Sequence, residues 1–202
     1  MSVTAWKNCG TVANFDAGGT TWDNDDGTSI SATRVESNDN LFAAQLDSSI
    51  MGMGQSQWLH CTNFGFSSAD IPNGALVDGF EVEVSQYRTV SAEPIANTLI
   101  QFIKANVLVG VDVGSTLDWG TSESAVVYGG ANQLGGDTWT QSDVTSSSFG
   151  VGVKIVGQNT LLLVSDIYSF FIDQVRVRAY YSFGQSKMTG VLTVQGISTV
   201  TF

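Results

Sequence analysis

His60 and Cys61 stand side by side, and a base next to a sulfur is the pairing that thiol-based nucleophilic catalysis requires. The stretch Gln57–Thr62 reads as a strand, however, and successive side chains of a strand point to opposite faces, so the two cannot act as a dyad. Packing is the expected role of both. One histidine and two cysteines also fall short of a zinc cluster. Asp23-Asn24-Asp25-Asp26-Gly27 gathers hard oxygen donors, which makes Asp23, Asp25 and Asp26 a weak candidate calcium site. The loop departs from the template of alternating acids closed by a glutamate, and a solvated turn is the simpler reading.

Nineteen Asp and Glu residues offer many carboxylate pairs for glycoside hydrolysis, but they are scattered over turns and single out no pair. Gly129-Gly130 and Gly135-Gly136 lack the lysine and following helix of a phosphate-binding loop and read as loop glycines. Trp6, Trp22, Trp58, Trp119 and Trp139, with Tyr180, would stack on sugar rings if exposed on one face. Core and loop anchoring is the commoner use of such aromatics. The residues thus predict no catalytic group, no resident metal and no cofactor.

The elements that would position these groups are strands. Twenty-two glycines, two prolines and few charged residues (13%) argue for strands and tight turns over helices. Residues 1–40 are rich in Gly, Asp, Asn and Thr and read as short extended pieces hung on Trp6, Phe15 and Trp22. Strands are predicted at Leu41–Leu46 and Gln57–Thr62, and at Leu76–Val90 after a turn at Ile71-Pro72-Asn73-Gly74, where glycine takes the positive φ. Phe80, Val82 and Val84 alternate with Glu81, Glu83 and Ser85; Val175, Val177 and Ala179 alternate with Arg176, Arg178 and Tyr180 in a second long strand over Phe171–Ser182. Opposite charges on these two faces favour their pairing.

Further strands are predicted at Leu99–Val109, Ser124–Tyr128, Phe149–Val156 and Thr160–Val164. One helical turn is predicted at Thr140–Val144, with Thr140 as cap and Asp143 closing a capping box. Asp173, at the mouth of a core strand, is expected to accept backbone N–H bonds from a neighbouring loop. The result is an all-β chain: an antiparallel sandwich, jelly-roll-like, over 41–182, with the 1–40 segment packed on it.

Residues 183–202 change in composition. Phe183–Lys187 reads as a linker, and Met188–Val194 and Ile197–Phe202 flank Gln195-Gly196 as a hairpin or two short strands. An isolated hairpin is marginal in water, so it must dock. Edge strands on its own sandwich and an arm to another subunit are the two readings. In the second, Met188, Val191, Leu192, Val194, Ile197, Val200 and Phe202 are the subunit contacts.

Eight Lys and Arg against nineteen acids give a net charge of −11, which disfavours a nucleic-acid partner. No apolar run is long enough to predict a membrane-spanning helix. The first residues show no basic and apolar leader pattern, so the chain is expected to be mature from Met1 and its cysteines reduced.

Leu59-x-x-Thr62-Asn63-Phe64-Gly65-Phe66-Ser67, the Ile71–Val84 run and Tyr128-Gly129-Gly130 belong to one longer pattern. Trp139-Thr140-x-x-Asp143-Val144-x-x-Ser147-x-Phe149-Gly150-Val151 and Ile172-Asp173-Gln174-Val175-Arg176-Val177-x-Ala179-Tyr180-Tyr181 complete it. Together they resemble a β-sandwich module of tailed-bacteriophage virion structural proteins, over about Trp6 to Ser182. The Leu-Gly-Gly-Asp before Trp139 departs from that pattern, where an aromatic is common. The resemblance implies a non-enzymatic particle component. The expected role is capsid decoration on the virion exterior, with assembly in the host cytoplasm. Its partners would be the major capsid protein or tail and collar proteins, together with copies of itself. The alternative is a tail, collar or fibre component that binds host glycan.

Overall fold

The computed structural model describes residues 1–15, 18–45, 55–89, 95–115, 119–158 and 169–184. Among them are twelve strands: β1 (Ser2–Val3), β2 (Lys7–Asn8), β3 (Thr11–Phe15), β4 (Asp23–Asn24), β5 (Ala43–Gln45), β6 (Trp58–Thr62), β7 (Ala75–Arg88), β8 (Ile95–Lys104), β9 (Val107–Val109), β10 (Ser124–Gly130), β11 (Gly150–Gln158) and β12 (Phe170–Phe183). A 3-10 turn at Ala32–Arg34 and one helical turn, α1 (Gln141–Val144), complete the described elements.

Two antiparallel sheets pack face to face. One runs β10-β7-β12-β5-β4, with β1 and β2 also paired to β12; the other runs β3-β6-β11-β8-β9. The eight strands β5 to β12 are therefore divided between the sheets in the order of a jelly roll, with first, eighth, third and sixth side by side, and second, seventh, fourth and fifth in the facing layer. The first four strands widen both layers. The all-β sandwich expected from the sequence is the architecture found.

Period-two patterning decides the central pair. Phe80, Val82 and Val84 of β7 and Val175, Val177 and Ala179 of β12 are buried, and they face Leu59, Cys61, Ile100, Phe102, Val151, Val153 and Ile155 of the second sheet. The register places Arg176 opposite Glu83 and Arg178 opposite Glu81, the charge match expected from the two strand faces. At one end of the interior, Phe64, Phe66, Phe80, Phe102, Trp139 and Phe149 form a continuous aromatic cluster; Phe149 lies 5.3–6.1 Å from Phe64, Phe66, Phe80 and Trp139. Sequence segments that look unrelated thus meet in one packing unit.

The helical turn forms as expected: Asp143 N–H donates to Thr140 Oγ1 at 3.2 Å and Thr140 N–H returns a bond to Asp143 Oδ2 at 2.9 Å. Gly74 takes φ 80° in the Pro72-Asn73-Gly74 turn, also as expected.

Three details differ from the sequence reading. Leu99–Val109 is not one strand: the chain reverses at Ala105-Asn106, with φ of 51° and 64°, to make the β8–β9 hairpin. Neither the pair nor its immediate flanks contain a glycine, so Asn106, a residue that tolerates the left-handed region, is the one local mark of the turn. Gly129 and Gly130 are not loop residues but the end of β10, opposite Glu81 and Phe80. Asp173 sits where the β7–β12 register slips between Ile172 and Gln174, and such an irregularity re-aims a side chain. The Thr160–Val164 strand and the 185–202 part of the C-terminal arm, with Met188, Val191, Leu192, Val194, Ile197, Val200 and Phe202, lie outside the described residues. Among the described residues no helix is long and apolar enough to cross a membrane.

Candidate functional site

Two outward sheet faces hold the side chains not consumed by the core. On the first, β12 and β7 carry a ladder of ion pairs. Arg176 Nε donates to Glu83 Oε1 at 2.7 Å and Arg178 Nε to Glu81 Oε2 at 2.6 Å. Trp6, brought over β12 by the short β1 and β2 ladders, lies above both guanidinium groups at 5.0 and 4.6 Å from its ring centre. Tyr180 flanks Arg178 at 5.7 Å. Each cation is thus shared between a carboxylate and an aromatic face.

Along the same face, Ser85 and Asn38 both donate to Glu123 Oε1. Beyond them Tyr87 stacks on Phe171 at 4.7 Å, and Phe42 meets both rings edge-on at 5.1 and 5.8 Å. Val127 of β10, opposite Glu83, is 50% exposed at the flank. This face is therefore aromatic at both ends and polar between, with Arg176 and Arg178 each paired to a glutamate.

The second sheet's outer face is built around a missing side chain. A Cβ on Gly152 would lie 2.7 Å from Leu108 and 3.0 Å from the Trp58 ring, so those two side chains close over the glycine and would have to shift to admit a side chain. Lys154 lies 5.6 Å from the Trp58 ring centre, and Phe15, 49% exposed, stacks on His60 at 4.3 Å.

The groups singled out for chemistry are placed apart. His60 faces outward under Phe15 while Cys61 faces the core beside Cys9, so the strand geometry separates them as expected. Burial holds the His60 imidazole down at about 4, and its buried Nε2 has no hydrogen-bond partner among the described residues. Asp25 and Asp26 are bridged by Arg34, at 2.5 and 2.8 Å, while Asp23 accepts from Thr21. Two of the three carboxylates named for a calcium site are therefore engaged by one guanidinium. Among the described residues no three His, Cys, Asp or Glu side chains gather closely enough to hold a metal.

Asp173 is fully buried and accepts from the Asp39 and Asn40 N–H groups at 3.3 and 3.1 Å, the loop-tying role expected of it. Trp22, Trp119 and Trp139 are buried, each donating its indole N–H, to Gln57 O, Thr98 Oγ1 and Leu134 O respectively. Trp6 and Trp58 are half-buried on opposite sheets, so the five tryptophans do not build a common platform.

In comparisons with known proteins, the chain matches no family model, no curated protein and no solved structure. The outer faces are thus what the molecule offers on which to base a role. Sequence reasoning missed the Phe42–Tyr87–Phe171 cluster and the Trp58–Leu108 closure over Gly152. Both depend on register between distant strands, and no local pattern encodes that.

Proposed function

We propose that this chain is a non-enzymatic structural protein of a tailed-phage virion, seated as a decoration protein on the capsid exterior in contact with the major capsid protein and with copies of itself. The supporting observation is how the polar side chains are used. Glu81, Glu83, Asp25 and Asp26 are engaged by arginines, Asp173 by backbone N–H groups, and His60 is packed under Phe15. Chemistry-bearing groups serve the scaffold, and the outer surface carries broad aromatic and paired-charge strips suited to contact.

The jelly-roll order agrees with this reading, since viral capsid domains use it to protect sheet edges, though lectin domains share it. A net charge of −11 suits the particle's outside better than its DNA-facing inside. The test is electron microscopy of particles assembled with and without the protein. Extra density on the heads, lost in its absence, is the expected result; heads and tails that are indistinguishable in the two preparations overturn the proposal.

One observation favours a second reading, a tail, collar or fibre module that binds host glycan. Trp6 with Tyr180, and Trp58 with Phe15, place half-exposed rings on outer faces. A glycan array probed with the assembled protein decides it: binding lost in Trp6→Ala or Trp58→Ala supports this reading, and a blank array removes it.

A further inference from the structure

The chain crosses from one sheet to the other at Cys9. The Cys9 N–H donates to Val175 O of the first sheet at 3.1 Å, and the next N–H, of Gly10, donates to Thr62 O of the second at 3.1 Å. The approach is close: a Cβ on Gly10 would lie 2.6 Å from Asn63 O. The Cys9 thiol turns inward, donating to Thr11 O at 3.1 Å with Thr62 O at 3.9 Å. Cys61 precedes Thr62 and faces the same interior, in register with Val12. Both cysteines are buried and free. Burial, and then a hydrogen bond with Cys9, hold the Cys61 thiol well above its usual range. Two thiols far apart in sequence are therefore neighbours in a dry site at a point where the N-terminal segment passes between layers.

We propose that Cys9 and Cys61 are a latent disulfide, closed by a small-molecule disulfide oxidant when the N-terminal segment opens locally. One thiolate attacks the oxidant, forming a mixed disulfide and releasing one reduced thiol. The second cysteine then displaces the other half. Two S–H bonds are lost and one S–S bond forms; two electrons and two protons pass to the oxidant, which leaves as two thiols. Gating follows from burial. An undissociated, water-shielded thiol is a poor nucleophile, so the closed protein reacts slowly even in oxidising surroundings. The ladders that hold the residues before Cys9, β1 and β2, are two residues each, so opening that stretch costs less than unfolding the sandwich. Once formed, the bond staples the N-terminal crossing to β6 and restricts the unfolded chain. This inference is independent of the role proposed above.

The test uses the wild-type protein with oxidised glutathione, in buffer and in urea below the unfolding midpoint. Samples are then unfolded, alkylated, weighed and peptide-mapped. The expected product is about 2 Da lighter, takes up no alkylating agent and yields a Cys9–Cys61 linked peptide. It forms several-fold faster in sub-denaturing urea, melts several degrees higher, and reverts with dithiothreitol. Two alkylated cysteines after prolonged oxidation, glutathione adducts alone, or links only between separate chains would each overturn the proposal. Cys9→Ala and Cys61→Ala should each abolish the mass change and the melting shift; the peptide map stands without either variant.

Discussion

His60 and Asp173 respond to pH in opposite senses, because burial penalises whichever form is charged. The imidazole titrates near 6.5 in the unfolded chain and at about 4 in the folded one. As pH falls from 6.5 the unfolded state takes up a proton that the native state refuses, so stability is lost progressively down to about pH 4, by roughly 2–3 kcal/mol. Asp173 is raised, by burial first, against the two N–H bonds it accepts. Its native form protonates ahead of the unfolded one, so it contributes stability as pH drops through the carboxylate range. Thermal midpoints measured from pH 7 to pH 4 should fall less steeply in His60→Gln than in wild type; parallel curves would show that His60 contributes nothing. Gly152 is constrained differently, by contact: Gly152→Ala should displace Trp58 and Leu108 and cost about 1–3 kcal/mol, read by denaturant unfolding and Trp58 fluorescence.

At the scale of elements, α1 is one turn long and survives through its ties. Lys104 reaches across from β8, donating to Thr138 O at 2.8 Å and pairing with Asp143 at 3.3 Å while lying 5.3 Å from the Trp139 ring centre. Thr140→Ala removes the cap and should cost about 1 kcal/mol in urea unfolding. The β8–β9 turn holds Ala105 at φ 51°, a region costing a residue with a Cβ about 1 kcal/mol or more. Ala105→Gly should therefore raise the melting temperature, and a lower one would show that the turn is unstrained. The ion-pair ladder is a register device: Arg178→Gln should cost under about 1 kcal/mol, because partly exposed pairs are screened. How legible these elements were followed from how local their signals are. The capping box of α1 and the alternation of β7 and β12 are written in consecutive residues. The β8–β9 reversal is not, because Ala105 and Asn106 are held in the left-handed region by the pairing of Phe102 with Val109 and Lys104 with Val107.

Over the whole molecule, Lys7, Arg34, Lys104, Arg176 and Arg178 are each engaged with a carboxylate, so the surplus acids set the field. Self-repulsion of a −11 chain is screened by salt. The melting temperature should rise as ionic strength goes from about 0.01 M to about 0.15 M; a fall would mean that the ion pairs outweigh the repulsion. The sheets end at β10, β4, β3 and β9 among the described residues, and β10 runs from Ser124 to Gly130 without a charged side chain. β3 and β9 are also free of charged side chains, and β10 is the longest of the three, so it offers the longest uncharged edge for strand addition by a neighbour.

What the sequence determined by itself was everything carried by near neighbours in the chain: the all-β class, the buried and wet faces of β7 and β12, the capped turn at Thr140, and the separation of His60 from Cys61. These follow from period-two geometry and hydrogen bonds spanning a few residues, so they can be read from consecutive residues even though the elements persist only in the packed fold. Only the tertiary structure decided how β5 to β12 are shared between the two layers and which strands lie side by side. It alone brought Phe42 to Tyr87, set Arg34 between Asp25 and Asp26, and placed Cys9 against Cys61. Those contacts are fixed by long-range register, where burial of the common core selects one pairing among many that the strands taken singly would allow.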